Sequence, residues 1–443
     1  MAQRTCPCVC RIFAWVTALF LLGASGCLMA QPDQSTGSSP YGKIVREIRI
    51  RGLRHTEESV VRNQLVSCVG HRYTEETERE DHRWLSRLKV FTSSSVETEV
   101  VGDEVILTIV VQELPGVIPY PILYITEANG ASGGLAVRLP SFMHRAILLS
   151  SSAKFGGLTE ADISLQAPWS FRSREWFRVK YKYRDRINKL GYFRENSHDL
   201  DIRVGISPHP DWMLSGKFGY LSIGSDIPGI TLTPKNRDNT PALGVMLEYD
   251  GRDSGSVPHK GWLGIFDITQ NGGFLGGDGD FVTTQIDIRR YQPLAPRHIL
   301  ALFSLTSFQS GAVGQDVPVY REYQIGGTNS IRGWHSDARI GKNQFINTLE
   351  YRYEVLPPKA FRVYKLGLYA GMQLVAFADL GTVWSQGPDF TGNMIAGGGF
   401  GIHFLVPFVD TVRMDFGFGQ AGTGIHPHIH IREKPRYSRN RIR

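Results

Sequence analysis

The sequence is short of cysteine and of long apolar runs, and both shortages narrow the class of protein. Only five of the 443 residues are cysteines, and four of them (Cys6, Cys8, Cys10 and Cys27) lie near the amino terminus. Cys68 alone remains in the body of the chain, which excludes a disulfide framework, and we expect it to be a small buried apolar residue. No apolar run reaches 18 residues, which excludes a helical membrane protein.

An excess of one charge is also lacking once the two ends of the chain are set aside. The net charge of +7 comes from two basic residues near the amino terminus and from residues 432–443, which hold six basic residues and one acid. Residues 27–431 hold 41 residues of each sign. This balance argues against a nucleic-acid partner. We interpret residues 432–443 as a basic tail close to anionic lipid.

Motifs of known catalytic or metal sites are scarce as well. The sequence has no phosphate-binding loop and no His-Glu-x-x-His motif. Two weaker patterns, a Gly-Asp-rich segment at residues 276–280 and the alternating His426, His428 and His430, are interpreted as a hairpin loop and as a polar strand face. We therefore predict no enzyme activity, no catalytic residue, no metal site and no cofactor.

The amino terminus has the features of an export signal. Two arginines precede an apolar core at residues 12–22, which is too short to span a bilayer, and small residues follow. We predict a signal peptide at residues 1–30 and a polar linker at residues 31–43. Cleavage before Cys27, with acylation of that cysteine as in a lipoprotein, is a second interpretation, and an uncleaved anchor is a third.

Residues 44–113 predict one compact α+β domain. Apolar and polar residues first alternate with the period of a strand and then recur with the period of a helix. Two further strands follow, joined by a tight turn at Gly102. The predicted elements are a strand at residues 44–50, a helix capped by Thr56, a helix at residues 74–88, and strands at residues 96–101 and 105–112.

Residues 114–431 predict a mostly β structure of about 16 antiparallel strands. Segments of about ten residues alternate apolar and polar side chains, and Gly, Pro, Asp and Asn separate them. The polar faces carry charges of both signs, which suits a wet lumen and favours a transmembrane β-barrel over a soluble sandwich. The predicted strands are 121–126, 133–139, 146–155, 159–167, 176–184, 199–207, 212–221, 241–250, 261–269, 281–291, 298–307, 343–355, 372–384, 396–404, 411–418 and 425–431.

One long loop interrupts this pattern. Residues 322–334 are polar and glycine-rich, and they lie in a link of about 35 residues between two predicted strands, much longer than a hairpin loop. Arg332 presents a planar fork that suits a carboxylate. Asp379 lies within an apolar strand and needs a partner or water, and Glu350 shares the polar face of another strand. In the alternative interpretation, Arg332 is a solvated loop residue and Asp379 faces water.

Several of these segments resemble one bacterial family. Gly326-Gly-Thr-Asn-Ser-Ile-Arg-Gly-Trp334 is similar to the loop signature of the outer-membrane assembly and secretion superfamily, which includes BamA-type assembly factors, TamA-type relatives and two-partner-secretion transporters. Leu349-Glu-Tyr-Arg352 and Phe377-Ala-Asp-Leu-Gly381 are similar to its next two strand motifs. Asp250-Gly-Arg-Asp253 is similar to another recurrent barrel segment. Residues 44–113 resemble one POTRA domain, the periplasmic module of the same superfamily.

The resemblance implies a role for the loop. In this superfamily the loop folds back into the barrel lumen, and its arginine contacts an acid on the barrel wall. Carried over, Arg332 is the loop anchor, Asp379 its main partner and Glu350 a second partner. The other members of the loop motif are Gly326, Gly327, Gly333 and Trp334.

The resemblance also implies a location and partners. POTRA domains bind extended chains by adding a strand at a sheet edge, which makes Val96 and Val100 the candidate binding edge. The expected location is the bacterial outer membrane, with the POTRA domain in the periplasm. The expected partners are outer-membrane lipid, unfolded or secreted polypeptides, and periplasmic chaperones or accessory lipoproteins.

The sequence departs from the family pattern in two ways. It has one POTRA-like domain, whereas assembly factors usually carry several. Its last predicted strand lacks the usual terminal aromatic residue and contains Pro427. We therefore expect a divergent relative that inserts or translocates polypeptides. The alternative is a barrel of the same fold that transports lipid or solute, or that serves as a surface or structural protein.

Overall fold

The computed structural model describes nine stretches of the chain. They are residues 39–88, 90–126, 129–167, 174–188, 190–254, 257–363, 366–406, 410–419 and 426–431. The predicted signal peptide with Cys27, most of the predicted linker and the basic tail lie outside these stretches. The side chains of residues 426–431, and therefore the three alternating histidines, also lie outside the described structure.

The amino-terminal domain is a three-stranded sheet packed against two helices. Trp84, Leu107 and Ile109 are among its fully buried core residues. The third strand is central, paired in parallel with the first and antiparallel with the second. The element order matches the prediction. The elements are β1 (Ile44–Arg51), α1 (Glu58–Arg62), α2 (Glu75–Arg87), β2 (Phe91–Val101) and β3 (Glu104–Glu113).

Two details of this domain differ from the sequence-based expectations. Thr56 does not cap α1, because that helix begins at Glu58 without any side-chain cap. The backbone N–H of Thr56 instead donates to the Glu113 carboxylate at 2.9 Å. Cys68 is exposed, so its prediction as a buried apolar residue was wrong.

The rest of the described chain forms one antiparallel sheet of sixteen strands, and each predicted strand has its counterpart. Two short strands and a short helix, α3 (Asp389–Gly392), lie in the connections. The strands are β4 (Ile118–Thr126), β5 (Gly130–Phe142), β6 (Ile147–Gly156), β7 (Thr159–Ala167), β8 (Glu175–Asn188), β9 (Phe193–His209), β10 (Trp212–Ser225), β11 (Arg237–Asp250), β12 (Gly261–Gly272), β13 (Asp280–Ala295), β14 (His298–Gln309), the short β15 (Tyr323–Ile325) and β16 (Arg339–Gly341), then β17 (Asn343–Val363), β18 (Leu366–Trp384), β19 (Ile395–Val406), β20 (Asp410–Phe418) and β21 (His426–Ile431).

The two faces of the large sheet reverse the usual placement of apolar and charged residues. On β9, Val204 is 59% exposed, whereas its neighbour Arg203 is 5% exposed. Charged side chains on the inner face pair with one another: Arg178 donates to Asp201 at 3.2 Å across two strands. An apolar outer face and a polar, charge-paired inner face are what a transmembrane β-barrel requires.

Contacts between distant strands show that the sheet curls. The hydroxyl of Tyr192, between β8 and β9, donates to Asp337 in the β14–β17 connection at 3.3 Å. Tyr320 in the same connection donates to Asp238 of β11 at 3.0 Å. No backbone pairing joins β4 to β21 within the residues that the structure describes.

The amino-terminal domain packs against turns at one end of the barrel. The His55 carbonyl oxygen lies 2.7 Å from Nδ1 of His144, in the β5–β6 turn. Arg83 of α2 pairs with Asp211, in the β9–β10 turn, at 3.2 Å. The guanidinium of Arg174 lies 3.9 Å from the Trp84 ring centre. None of the helices in the described part of the chain has the length and apolar character needed to cross a bilayer.

Asp81 is a buried acid that should make the stability of the amino-terminal domain depend on pH. Its carboxylate accepts the backbone N–H groups of Val66 and Ser67, and burial raises its pKa above the ordinary value. The folded domain thus holds a proton on Asp81 up to a higher pH than the unfolded chain does. The contribution of this group to stability is therefore largest below the ordinary pKa of aspartate and is lost as pH rises through the raised pKa.

We expect Asp81→Asn to remove this pH dependence while keeping both hydrogen bonds, because an amide oxygen still accepts them. Asp81→Ala leaves two buried donors unsatisfied and should cost about 1–3 kcal/mol for each lost partner. Hydrogen exchange of the segment that contains Val66 and Ser67, measured in the full chain at several pH values, checks both expectations. Equal protection in the two variants would contradict them.

Candidate functional site

The candidate site is the connection between β14 and β17, which folds against the inner wall of the barrel. Its β15 and β16 strands pair with each other as a hairpin. Ile325 and Ile331 are fully buried against Phe303 and other apolar residues of the wall. The loop therefore covers an apolar patch on a face that is otherwise polar.

Arg332 lies at the centre of this contact and is fully buried. Its Nε donates to Oδ2 of Asp379 at 2.7 Å, and its Nη2 donates to Oδ1 at 2.8 Å, which forms a bidentate pair. Nη1 donates to Glu350 at 3.0 Å and to Asp415 at 3.2 Å. The guanidinium also lies 3.3 Å from the ring centre of Phe377. One side chain thus joins the loop to β17, β18 and β20.

The charge of Arg332 is maintained by its acidic neighbours against the effect of burial. Burial lowers the pKa of Arg332, but the carboxylates of Asp379, Glu350 and Asp415 outweigh burial and hold that pKa above its ordinary value. Charge-assisted bidentate bonds of this kind are about twice as strong as neutral ones. Arg332 therefore keeps its charge while it is buried.

Further side chains of the wall complete the network. Thr348 donates to Oδ1 of Asp379 at 2.8 Å, and Arg352 donates to Oε2 of Glu350 at 2.8 Å. Nε2 of His403 lies 3.0 Å from Oδ1 of Asp415. Each carboxylate around Arg332 thus has a second partner, and this partner helps to fix the orientation of the carboxylate.

Glycines allow the loop backbone to approach the wall closely. A Cβ atom on Gly326, whose φ is +119°, would lie 1.7 Å from the His335 carbonyl oxygen. On the wall, a Cβ on Gly397 would lie 1.9 Å from the Arg332 carbonyl oxygen. A larger residue at position 397 would push the loop away from β19, and one at position 326 would collide with the backbone of the loop itself.

The remaining motif residues also take part in the loop. Gly327 donates its backbone N–H to the Trp334 carbonyl at 2.8 Å, and Trp334 donates its indole N–H to the Ala396 carbonyl at 2.7 Å. Gly333 has a φ of +90° and lies against the end of β20. The structure therefore brings together all seven residues that the sequence singled out for the loop and its partners.

Asp415, His403 and Phe377 were missed as members of the cluster. Asp415 lies on the polar face of an alternating strand, which is the same signal that singled out Glu350, so it could have been found. His403 gave no such signal, because only the pairing of β19 with β20 brings it next to Asp415. Phe377 was noted only as part of a strand motif.

Val96 and Val100 lie on an edge strand, because β2 pairs only with β3 within the described residues. Both side chains are half-buried and pack against the core of their own domain. Only the backbone of β2 is therefore open to a further strand, so these valines position the edge and do not form its contact surface.

One serine motif was overlooked in the sequence. Gly130-Ala-Ser-Gly-Gly134 matches the Gly-x-Ser-x-Gly pattern, which in hydrolases lies on a sharp strand-to-helix turn. Here it lies inside β5, where the Ser132 hydroxyl accepts the backbone N–H of Leu158 at 3.1 Å. The motif therefore lacks the geometry of a nucleophile.

A sixteen-stranded barrel with a charged inner wall, an inward-folded loop and an attached α+β domain defines a bacterial outer-membrane protein. A model of the Omp85 superfamily domain matches residues 149–429, well over half of the chain. The chain belongs to the Omp85 superfamily. The resemblance noted in the sequence and the predicted outer-membrane location are confirmed.

Individual relatives agree with this assignment. The chain is 26% identical to the outer membrane protein assembly factor BamA of Nitratidesulfovibrio vulgaris, an alignment that covers 78% of this chain and 44% of that protein. The chain therefore spans less than half the length of this curated relative.

Solved structures share the fold. The crystal structure of BamA from Haemophilus ducreyi lacking POTRA domains 1–3 has a TM-score of 0.60 at 16% identity and covers 87% of this chain and 83% of that one. CdiB from Acinetobacter baumannii has a TM-score of 0.57 at 15% identity and covers 88% of this chain and 73% of that one.

Removal of members of the ion cluster should destabilise the barrel. Arg332→Ala should lower the free energy of unfolding by about 3–5 kcal/mol, because it leaves buried carboxylates without their shared cation. Asp379→Ala should cost less, because Glu350 and Asp415 still pair with the arginine. The double variant should be no worse than Arg332→Ala alone, because the acid that loses its partner is gone. Heat-modifiable gel migration and denaturant unfolding measure these effects.

Arg339→Ala is the matched control for that series. Arg339 lies in the same loop, but in the described structure it donates only to the neighbouring Ala338 carbonyl and faces the Trp334 ring. It should change stability little. Strictly additive effects of Arg332→Ala and Asp379→Ala, or no effect of either, would show that the pair does not hold the loop.

Proposed function

We propose that this chain inserts outer-membrane proteins or translocates polypeptides across the outer membrane, and that it is not an enzyme. The observation that carries the proposal is the loop fixed inside the barrel through Arg332, because a loop held there by a buried ion cluster occupies the lumen. Such a barrel is unsuited to serve as an open pore. The similarity to BamA supports the same class of activity.

We assign residues 44–113 as a POTRA domain that recruits the substrate. The element order and the open edge of β2 support this assignment. An extended polypeptide would add to β2 through backbone hydrogen bonds, which bind many sequences with little selectivity. We also retain residues 1–30 as the export signal, with Cys27 as the acylated residue in the lipoprotein alternative.

In this proposal Arg332 is the anchor of the lumenal loop. Asp379 is its main partner because it supplies both oxygens of a bidentate pair, and Glu350 and Asp415 share the remaining nitrogen. The fixed loop stiffens the wall formed by β17 to β20. The seam between β4 and β21, which has no described backbone pairing, is then the part of the barrel that opens most readily.

The partners that follow are unfolded or secreted polypeptides and outer-membrane lipid. Periplasmic chaperones or accessory lipoproteins would deliver the substrates to the amino-terminal domain. The alternative function, a barrel that moves lipid or solute or that serves as a surface protein, needs no polypeptide recruitment. The amino-terminal domain therefore separates the two proposals.

Removing residues 44–113 tests recruitment. We expect the truncated barrel to fold, as judged by heat-modifiable migration, and to lose crosslinking to an unfolded outer-membrane protein because the open strand edge is gone. The intact chain is the reference. Unchanged substrate crosslinking by the truncated barrel would contradict the proposal, and steady open conductance in both forms would indicate a porin.

A pair of proline variants tests the edge more finely. Along an antiparallel edge strand, the N–H groups of neighbouring residues point alternately to the partner strand and away from it. Glu97 and Thr98 are adjacent and both exposed. One of Glu97→Pro and Thr98→Pro should therefore disturb pairing with β3, and the other should leave the domain folded but weaken substrate crosslinking. Full crosslinking by both folded variants would exclude strand addition at β2.

A further inference from the structure

The outer face of β8 to β11 changes from apolar to charged toward the end of the barrel remote from the amino-terminal domain. Side chains on the outer face of β9 alternate with buried ones. The same change occurs on the neighbouring strands, because the residues are paired across β8, β9, β10 and β11. Along β9 the outward series is Val204, Ile202, Leu200, His198, Asn196 and Arg194.

An aromatic belt marks the transition. The Tyr181 hydroxyl lies 2.7 Å from Nδ1 of His198, and the rings of Tyr183 and His198 lie 5.2 Å apart. Tyr220 on β10 is exposed at the level of Tyr181, because both tyrosines are paired with Leu200. Aromatic residues with polar tips lie where the hydrocarbon of a membrane meets its headgroups.

The charged row begins two residues beyond His198. Asp185, Asn196, Gly224 and Arg237 are paired across the four strands. With a strand rise of about 3.4 Å per residue, this row lies about 7 Å beyond the belt along the strand, which is about 5 Å along the membrane normal at the usual tilt of barrel strands. A headgroup layer is about 5–7 Å thick on each side of a bilayer, so the row lies at headgroup level.

A cleft of about 460 Å³ opens at this row. Gly224 forms part of its floor, and a Cβ atom there would lie 2.9 Å from Nη2 of Arg237. The missing side chain lets the Arg237 guanidinium lie across β10. Lys235, in the β10–β11 connection, lines the same cleft and is exposed.

The cations of the cleft differ in their partners. Arg194 forms a bidentate pair with Asp185, with both bonds at 2.9 Å, and Asp226 accepts the backbone N–H of Arg194. Among the residues that the structure describes, Arg237 donates only to neutral oxygens, those of Ser222 at 3.1 Å and Asn196 at 3.3 Å. Lys235 has no ion pair within the described part of the chain. Arg237 and Lys235 therefore keep their charge available to an anion.

We propose that this cleft binds the phosphorylated headgroup of a lipid in the outer leaflet of the outer membrane. Arg237 and Lys235 contact the phosphate, since a guanidinium fork matches phosphate oxygens and an ammonium adds a point charge. The acyl chains lie along Ile202 and Val204, directly below the belt. The continuity of apolar wall, aromatic belt and free cations selects a lipid over a soluble phosphate.

The inference depends on the orientation of the chain, with the amino-terminal domain in the periplasm. It does not depend on whether the barrel inserts or translocates polypeptides. Loss of lipid binding and loss of substrate crosslinking are therefore separate results.

The test uses the full chain in dodecyl maltoside, with lipid binding followed by native mass spectrometry. The probes are hexa-acyl lipid A with two phosphates, the same lipid without phosphates, and inorganic pyrophosphate. The variant is Lys235→Gln with Arg237→Gln. The matched control is Arg145→Gln with Lys260→Gln, which removes two exposed cations from turns at the opposite end of the barrel.

We expect the variant to bind phosphorylated lipid A about tenfold more weakly and the control to bind within about twofold of the parent, the range set by loss of charge-assisted hydrogen bonds. Lipid A without phosphates should bind the parent and the variant alike. Lys235→Gln alone, at a side chain without a described partner, should show a smaller loss in the same direction and serves if the double variant does not fold.

Three results would overturn the inference. The first is equal binding of phosphorylated lipid A by the parent and the folded double variant. The second is equally tight binding of the dephosphorylated lipid by the parent, which would assign recognition to the apolar belt alone. The third is saturation by pyrophosphate at the lipid concentration, which would indicate a site for free anions.

Discussion

The inner organisation of this barrel depends on one buried ion cluster. Arg332 is fully buried, and a buried cation is tolerated only when carboxylates and hydrogen bonds replace the water that it has lost. Asp379, Glu350 and Asp415 supply that replacement from three strands of the wall. The arrangement is mutual, because the three acids are also buried and need a cation. The loop therefore supplies the cation that the buried acids of the wall need, and the wall supplies the acids that the buried cation needs. Neither could be buried without the other.

The reversal of polarity between the two faces explains why such a cluster can exist. A soluble sheet buries apolar side chains and exposes charges, whereas this sheet exposes Val204 and buries Arg203. Lipid is the solvent of the outer face, so the charges must pair within the lumen. The inner wall accordingly carries repeated pairs such as Arg178 with Asp201 and Arg289 with Asp287. The Arg332 cluster extends this pattern to a side chain contributed by a loop.

The outer face has an internal order of its own. Paired residues on β8 to β11 change together from apolar to aromatic to charged, because strand pairing places corresponding residues of neighbouring strands side by side. The change that marks the membrane boundary is therefore found on several neighbouring strands. The inner cluster and the outer cleft follow the same constraint, which is that a charge removed from water needs another polar partner. In the inner cluster the partners are ion pairs, and in the proposed cleft they are lipid headgroups. The amino-terminal domain follows the ordinary rule, with an apolar core around Trp84.

Alternating side chains determined the sixteen strands, because period-two patterning needs no tertiary context, and the charged inner face indicated the barrel. Many strands extend beyond the predicted ends, such as β9 and β17, because backbone pairing continues where the apolar alternation stops. Arg332, Asp379 and Glu350 stood out because isolated charges in apolar or glycine-rich surroundings need partners. Only the tertiary structure decided that Asp415 and His403 join them, because strand pairing brings together residues that are distant in the chain. Packing also decided that Cys68, in the connection between α1 and α2, is exposed and that Val96 and Val100 face their own core. Residue type alone does not fix which positions the rest of the domain covers.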